Sequence, residues 1–413
     1  MSSEPDVVIV TNSPGELSSW VRVMAEQIKK DIPNCRVIIS LVPCPFATGK
    51  EEEVAEQFSS VDFVINPSQF LSLALLGKKP PGFKPSKNGL VIFLGGDYWH
   101  AALLARRLNY PAVAYAARPN VSCTGNFKYF FCSHKKIGDK LLKNGVPAEK
   151  IKIAGNLIVE AVRPHLSRIE ALEKWHLNSD KLIIGIFPGS RLFSLQDSLP
   201  VFLKVAEEIR KEIPDVQFLL GLSPFRTVEE LELILKNPVS PIPGTGGRID
   251  NSGEISRIIT QGGVDVSIVG QDRYDLMNIA DLILTIPGTN TAECAFLGRP
   301  MVVACSWKAR IPGGGLGFII NKLPLSRFRR SLMYGAFRRH RFMALPNQIA
   351  EREIVPEVRV EENSSEITKV ALDLIRNEKL RKEMGTELKN IMGTSGAVKN
   401  ISNAIAEILQ KQE

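Results

Sequence analysis

The sequence predicts an α/β protein built from two doubly wound, Rossmann-like domains facing each other across a cleft. Three observations predict it. Short apolar runs that end in Gly, Pro or Asn and lead into stretches of helical spacing recur along the chain. That strand-helix alternation runs as far as Ile153, is interrupted by a polar, helix-rich segment from Ile158 to Asp180, and then begins again. The 413 residues are long enough for two full cores, and 44% hydrophobic content suits a soluble globular protein. No short-period repeat suggests a solenoid.

In order, Val7 to Thr11 reads as a strand, Asn12 to Glu16 as a turn, and Ser18 to Lys30 as a helix. Asn34 to Leu41 is the second strand, Pro43 to Lys50 a loop, and Glu51 to Phe58 a helix whose acidic start suits its dipole. Strand Val61 to Ile65 and helix Phe70 to Leu76 precede a Pro- and Lys-rich loop from Gly77 to Asn88. Leu90 to Leu94 is a strand ending at Gly95-Gly96-Asp97, followed by helix Tyr98 to Leu108. Strands Pro111 to Tyr115, Tyr129 to Cys132 and Lys152 to Ile153, with helix His134 to Asn144, complete the first half. The second half reads as strand 182–187, helix 199–213, strand Gln217 to Leu222 and helix Thr227 to Lys236. A Gly-rich loop (Pro243 to Gly247), strand Val264 to Val269 and helix Tyr274 to Ala280 follow. Strand Leu282 to Ile286, helix Thr289 to Leu297 and strand Met301 to Cys305 come next. Ser364 to Gln410 is helical, and its last amphipathic stretch is long enough to return to the first domain. The expected domains are therefore 1–175, joined by a helix at about 396–413, and 176–395.

Two strand ends in the second half carry the chemistry. After Leu282 to Ile286, Pro287-Gly288 delivers a helix N-terminus whose free N–H groups and dipole suit a phosphate. Thr289 and Thr291 add hydroxyls, and Glu293, one turn in, could accept two hydroxyls from a ribose. The plainer reading is a helix merely capped by Thr289 or Asn290, and this segment alone leaves both open. Lys181 to Phe187 ends likewise in Pro188-Gly189-Ser190-Arg191, and a planar guanidinium suits a diphosphate. Two phosphate-type strand ends in one α/β domain point to a nucleotide. Neither has the spacing of a P-loop or of the dinucleotide-binding G-x-G-x-x-G, which argues against an ATPase or a dehydrogenase. In the first half, Glu16 and Asp97 stand where an α/β sheet places reactive groups, although dipole complement and N-cap are the ordinary roles for such residues.

The formal charge of +8 is localised. From Arg299 through Ala350 there is no Asp or Glu, while ten Lys and Arg fall there and alternate with Phe, Leu, Ile, Met and Tyr. Arg329, Arg330, Phe337, Arg338 and Arg339 are its centre, and the composition suits contact with an anionic membrane surface. Nucleic acid and a solvated helix face are the competing readings. The start of the chain lacks a basic region followed by an apolar core, and no apolar run reaches the length of a membrane span. A cytoplasmic protein, peripheral to the inner face of the membrane, is expected. The six cysteines show no metal-type spacing, so buried thiols and no metal site are expected.

With these pieces placed, the chain resembles the lipid-A-disaccharide synthase family, inverting glycosyltransferases of the GT-B type. Pro14-Gly15-Glu16, Gly95-Gly96-Asp97, Phe187-Pro188-Gly189-Ser190-Arg191, Pro287-Gly288-Thr289 through Glu293 with Arg299-Pro300-Met301-Val302-Val303, and Leu345-Pro346-Asn347 with Glu351-Arg352-Glu353 carry the resemblance in register. Leu17-Ser18-Ser19-Trp20 and Ala116-Ala117-Arg118-Pro119-Asn120 depart from the family pattern, both in the half that would hold the acceptor. The resemblance implies lipid A biosynthesis: transfer of a sugar from a donor like UDP-2,3-diacylglucosamine to a lipid-linked acceptor with inversion, without a cofactor. Asp97 is the expected base, with Glu16 second. Gly189, Ser190, Arg191, Gly288, Thr289, Asn290, Glu293 and Asn347 are the expected donor set. The expected partners are a UDP-sugar, a lipid acceptor and an anionic membrane surface, with no nucleic acid, and with a homodimer allowed for. A UDP-GlcNAc 2-epimerase or hydrolase, or a nucleotide- or RNA-binding protein, are the alternatives.

Overall fold

A computed structural model gives the structure of the protein and describes residues 4–12, 14–44, 47, 49–240, 242–306, 341–360, 363–393 and 395–412. The chain divides into two compact units, Met1–Ala161 with Gly393–Glu413, and Val162–Met392.

The first unit is built on seven parallel strands: β1 (Asp6–Thr11), β2 (Arg36–Leu41), β3 (Phe63–Ile65), β4 (Gly89–Phe93), β5 (Ala112–Ala116), β6 (Phe127–Cys132) and β7 (Ile151–Ile153). Their order across the sheet is β3-β2-β1-β4-β5-β6-β7. β1, β4 and β5 are buried at every position, as continuous apolar runs covered on both faces must be. The chain fills the β1-β2-β3 side first and then crosses to β4, so the strand order reverses between β1 and β4. The helix after β1 begins earlier than its sequence suggests. Pro14–Glu16 is already helical, and a π-helical turn, Leu17–Val21, separates it from the regular helix Arg22–Asp31.

The terminal helix Ala397–Gln410 packs within this unit because polar groups fix it there. The buried carboxylate of Glu160 accepts from the backbone N–H groups of Gly396 and Ala397, the second at 2.6 Å. Asn400 Nδ2 donates to the Ala154 carbonyl at 3.0 Å, and Lys399 pairs with Asp31. Gln412 makes two hydrogen bonds of 3.2 Å with the backbone of Gly89.

Among the described residues the second unit has eight strands: β8 (Leu182–Phe187), β9 (Val216–Gly221), β10 (Gly247–Asp250), β11 (Arg257–Thr260), β12 (Asp265–Val269), β13 (Leu282–Thr285), β14 (Met301–Ser306) and β15 (Glu357–Val360). Their order is β10-β11-β12-β9-β8-β13-β14-β15, and among the described residues only the two pairings that β11 makes are antiparallel. This sheet too reverses direction beside its first strand, between β8 and β13. β10 and β11 follow the Gly-rich loop in a stretch to which the sequence assigns no element: β10, at the sheet edge, is at most half-buried, and β11 beside it offers only the short apolar pair Ile258-Ile259. The boundary between the units falls at Ala161 rather than at 175. The segment after it is tied to the second unit: Asp275 Oδ1 accepts from the N–H groups of His165 and Leu166 at 2.6 Å, and Arg168 donates to the Ile279 carbonyl at 2.7 Å.

Candidate active site

Both strand-order reversals coincide with the motif loops. In the second unit, β8 runs into Pro188-Gly189-Ser190-Arg191 and β13 into Ile286-Pro287-Gly288, and the two strands are hydrogen-bonded neighbours with Phe187 opposite Thr285. Thr285 Oγ1 donates to the Phe187 carbonyl at 3.1 Å, locking the strand ends together. Gly189 adopts φ +98°, and a Cβ there would stand 2.8 Å from Ile286 Cδ1, so the first loop needs glycine to lie against the second. Ser198 Oγ donates to the carbonyls of Pro188 and Ser194 at 2.9 and 2.7 Å and pins the turn from below.

Each loop feeds directly into a helix. Leu192–Glu212 begins seven residues before the position read from the sequence, with Arg191 as its N-cap residue, and it continues through Pro200. Thr289–Phe296 begins after Gly288. Neither helix has a side-chain cap, and neither has an acid in its first turn. Elsewhere in the unit, Arg168–Lys174 and Val228–Lys236 have both. The two uncapped N-termini at the reversal therefore present backbone N–H groups and positive dipole ends to an anion, with the half-buried Arg191 beside one of them.

Not every expected donor residue is available. The Thr291 hydroxyl is used inside the protein, donating to the Gly288 carbonyl at 2.8 Å and accepting from Leu345 N at 3.1 Å. Asn347, fully buried, is spent as well. Its Nδ2 donates to the Val355 carbonyl and Glu357 Oε1, and its Oδ1 accepts from Ile354 and Val355 N–H, so the amide staples a turn and has nothing left for a ligand. Glu293 is 1% exposed. Its Oε1 accepts from Arg273 Nη2 at 3.2 Å and Tyr274 OH at 3.1 Å, so Oε2 is the oxygen left to accept ribose hydroxyls. Ser190, Thr289 and Asn290 are half-buried at the loop ends, and Gly288 is exposed.

The first unit repeats the plan. β1 and β4 are adjacent, and the Pro14–Glu16 turn follows one while Gly95-Gly96-Asp97 follows the other. A Cβ on Gly95 would meet Glu16 Cγ at 3.3 Å and Thr11 Oγ1 at 3.2 Å, which places Glu16 directly against the loop that carries Asp97. Gly96 has φ +96° and would strike Val42 if it carried a side chain. Asp97 is exposed at the start of the helix Tyr98–Leu108. Its backbone N–H donates to His100 Nδ1 at 3.2 Å. Burial holds His100 below its ordinary pKa, with Asp97 pulling the other way. With Nδ1 accepting, the neutral ring carries its proton on Nε2. Sequence reasoning passed over His100, although its place three residues after Asp97 is the spacing of a reciprocal cap. It also passed over Arg273 and Tyr274, which no motif marks.

Arg329, Arg330, Phe337, Arg338 and Arg339 lie outside the described residues. At the edge of the same block Arg299 is half-buried and bonded to Asn278 Oδ1 at 3.0 Å, so it is a packing residue rather than a surface cation. Among the described residues no three His, Cys, Asp or Glu are grouped to hold a metal, and no helix is long and apolar enough to cross a membrane. Four of the six thiols (Cys35, Cys132, Cys294 and Cys305) are buried.

Residues 252–409 match the family model described as lipid-A-disaccharide synthetase. The chain is 27% identical over 273 residues to the lipid-A-disaccharide synthase of Geobacter sulfurreducens, a match covering 65% of this chain and 59% of that protein. The chain thus spans about three-fifths of the length of the curated relatives it matches first. In structure it is similar to S. aureus MnaA solved with UDP (TM-score 0.59, 14% identity, covering 98% of this chain and 97% of that one). It is also similar to the UDP-GlcNAc 2-epimerase of Neisseria meningitidis bound to UDP-GlcNAc (TM-score 0.58, 15% identity, 97% and 100%). At such identity these likenesses speak for the fold, two Rossmann-like α/β domains of the GT-B type. The sequence matches go further: in them the chain is similar to the lipid-A-disaccharide synthase family, most clearly over residues 252–409.

Proposed function

We propose that the protein is a glycosyltransferase that moves a sugar from a UDP-sugar, of the UDP-2,3-diacylglucosamine kind, to a hydroxyl of a lipid-linked acceptor with inversion. The observation that carries this is the coincidence, in both sheets, of the strand-order reversal with the loops bearing the motif residues. In the second unit the diphosphate is held by Arg191 and the two uncapped helix N-termini, and the ribose by Glu293 Oε2. As the sugar leaves, negative charge grows on the diphosphate, and these fixed donors are already aimed at it. In the first unit Asp97 takes the acceptor proton, with His100 fixing its loop and Glu16 beside it as the second carboxylate. The family match and the UDP and UDP-GlcNAc bound by the two structural neighbours support a UDP-sugar as donor.

We further propose that the basic, aromatic block between Arg299 and Ala350 docks the protein on an anionic membrane at the cytoplasmic face, so that a lipid acceptor need not leave the bilayer. The test is incubation with a panel of UDP-sugars and a membrane lipid extract, reading UDP release and product mass. A sugar-lipid adduct that disappears in Asp97→Asn is the expected result. Near-normal turnover in that variant removes Asp97 as base. Conversion of UDP-GlcNAc without lipid replaces the transferase reading with an epimerase or hydrolase.

A further inference from the structure

Glu293 is held unevenly. An arginine and a carboxylate paired only for stability commonly use two parallel N–H···O bonds, one to each oxygen. Here Arg273 sends Nη2 alone to Oε1, at 3.2 Å, and the same nitrogen donates to the Tyr274 hydroxyl at 2.7 Å. Tyr274 then donates its proton to the same Oε1 at 3.1 Å. Oε1 thus receives two donors. Oε2, equally buried, has no hydrogen-bond partner among the described residues. A buried carboxylate oxygen left unpaired is costly, and its persistence calls for a donor that arrives from outside the protein.

The two partners are themselves rigid. The Arg273 guanidinium lies over the Tyr274 ring, 4.6 Å from its centroid, and the side chains are 14% (Arg273) and 2% (Glu293) exposed. Burial pushes the Tyr274 hydroxyl up to about 12, against the pull of Arg273, so it stays a donor at neutral pH. Glu293 stands four residues after Thr289, on the face of the helix that begins at the strand-order reversal.

We propose that Arg273 and Tyr274 are positioning residues that grip Glu293 by one oxygen and so present the other, Oε2, to the ribose hydroxyls of a nucleoside diphosphate. This rests on the reading of the second unit as the UDP-sugar site. It goes beyond that reading by making recognition of the ribose depend on two side chains that do not touch the ligand. Removing the Tyr274 hydroxyl frees Oε1 to take a second guanidinium bond, lets the carboxylate rotate, and misaims Oε2. The loss falls only on ligands that have hydroxyls for Oε2 to receive.

Calorimetry with UDP and with 2′,3′-dideoxy-UDP, on the full chain, tests this. The parent protein is expected to bind UDP at least tenfold more tightly than the dideoxy analogue. Tyr274→Phe should weaken UDP about five- to tenfold and leave the dideoxy analogue unchanged, and that unchanged affinity also shows that the variant is folded. Arg273→Lys, which keeps the charge but loses the planar fork, should behave in the same way. A parent that discriminates while both variants lose the two ligands equally, or lose neither, overturns the positioning role and leaves the donor site standing. A parent that binds both ligands alike removes Glu293 from the ribose, and failure to bind UDP removes the donor site itself; either result also overturns the proposal.

Discussion

Replacing Gly189 by Ala tests whether the two phosphate loops act as one construction. The residue sits at φ +98°, where an L side chain costs about 1–3 kcal/mol of backbone strain. The new Cβ would lie 2.8 Å from Ile286 Cδ1 and 3.2 Å from Ser194 Cβ. Ser194 is in the first turn of the helix that the loop feeds, and Ile286 opens the neighbouring loop, so relief of the clash pushes on both. Overpacking of this kind costs roughly a further 1–3 kcal/mol. A combined loss of at least about 2 kcal/mol lowers the melting temperature of a unit of this size by roughly 4 °C or more. UDP affinity should fall more than about tenfold, because a donor displaced by even 0.5 Å no longer meets the phosphate. Gly270→Ala is the control: its Cβ meets nothing within 4 Å, and it should change neither quantity. The assays are thermal unfolding and calorimetry with UDP. If Gly189→Ala melts and binds as Gly270→Ala does, the loops are not packed as described.

Arg191→Ala should weaken UDP by about 1.5–3 kcal/mol while leaving uridine nearly unaffected, since only the diphosphate meets the guanidinium; equal losses for both ligands in titration calorimetry would sink that role. His100 is held below its ordinary pKa by burial, so the unfolded chain takes the proton first as pH falls through about 6.5. The stability that comes from keeping it neutral is therefore present above that pH and is lost as pH drops towards the folded value. His100→Gln should flatten part of the fall in urea stability between pH 7 and 5, with His134, also lowered by burial, accounting for another part; an unchanged slope refutes the assignment. Changing Arg329, Arg330, Arg338 and Arg339 to Gln should release the protein from anionic liposomes with UDP affinity intact, each cation being worth about 1 kcal/mol near the surface. Co-sedimentation equal to the parent's would mean that the block does not dock.

The strands that surround each reversal were legible because they are buried on both faces and so appear as unbroken apolar runs, as in Val7 to Thr11 and Leu282 to Ile286. The edge strand Gly247–Asp250 and its neighbour Arg257–Thr260 were not, since strands that are short and partly exposed need no such run. The motif loops could be placed at strand ends from sequence, but which strands lie side by side is a long-range fact, and it is adjacency that makes two loops a site. Side-chain availability was the least legible property. Asn347 and Thr291 have the right chemistry for a ligand and the wrong partners, while Arg273 and Tyr274, in no motif, hold the carboxylate that was chosen. Their saturation depends largely on neighbours 7 to 54 residues away, which local spacing does not encode.

The Glu160 carboxylate that receives Gly396 and Ala397 gives the two units different calendars during synthesis. Val162–Met392 is one continuous stretch of chain, with every described strand of its sheet in place by Val360, so it can close on itself without waiting for a later segment. The first unit has its seven strands much earlier, yet it waits more than two hundred residues for the helix that covers part of its sheet and supplies the N–H groups for a buried acid. Until then Glu160 lacks the two backbone donors of Gly396 and Ala397, and the apolar face that meets Ile401, Ile405 and Ile408 is bare. The half that comes off the ribosome first is therefore the half that finishes last. A holding chaperone would find its surface on the first unit, and slowing translation beyond Met392 should lengthen that exposure without disturbing the second.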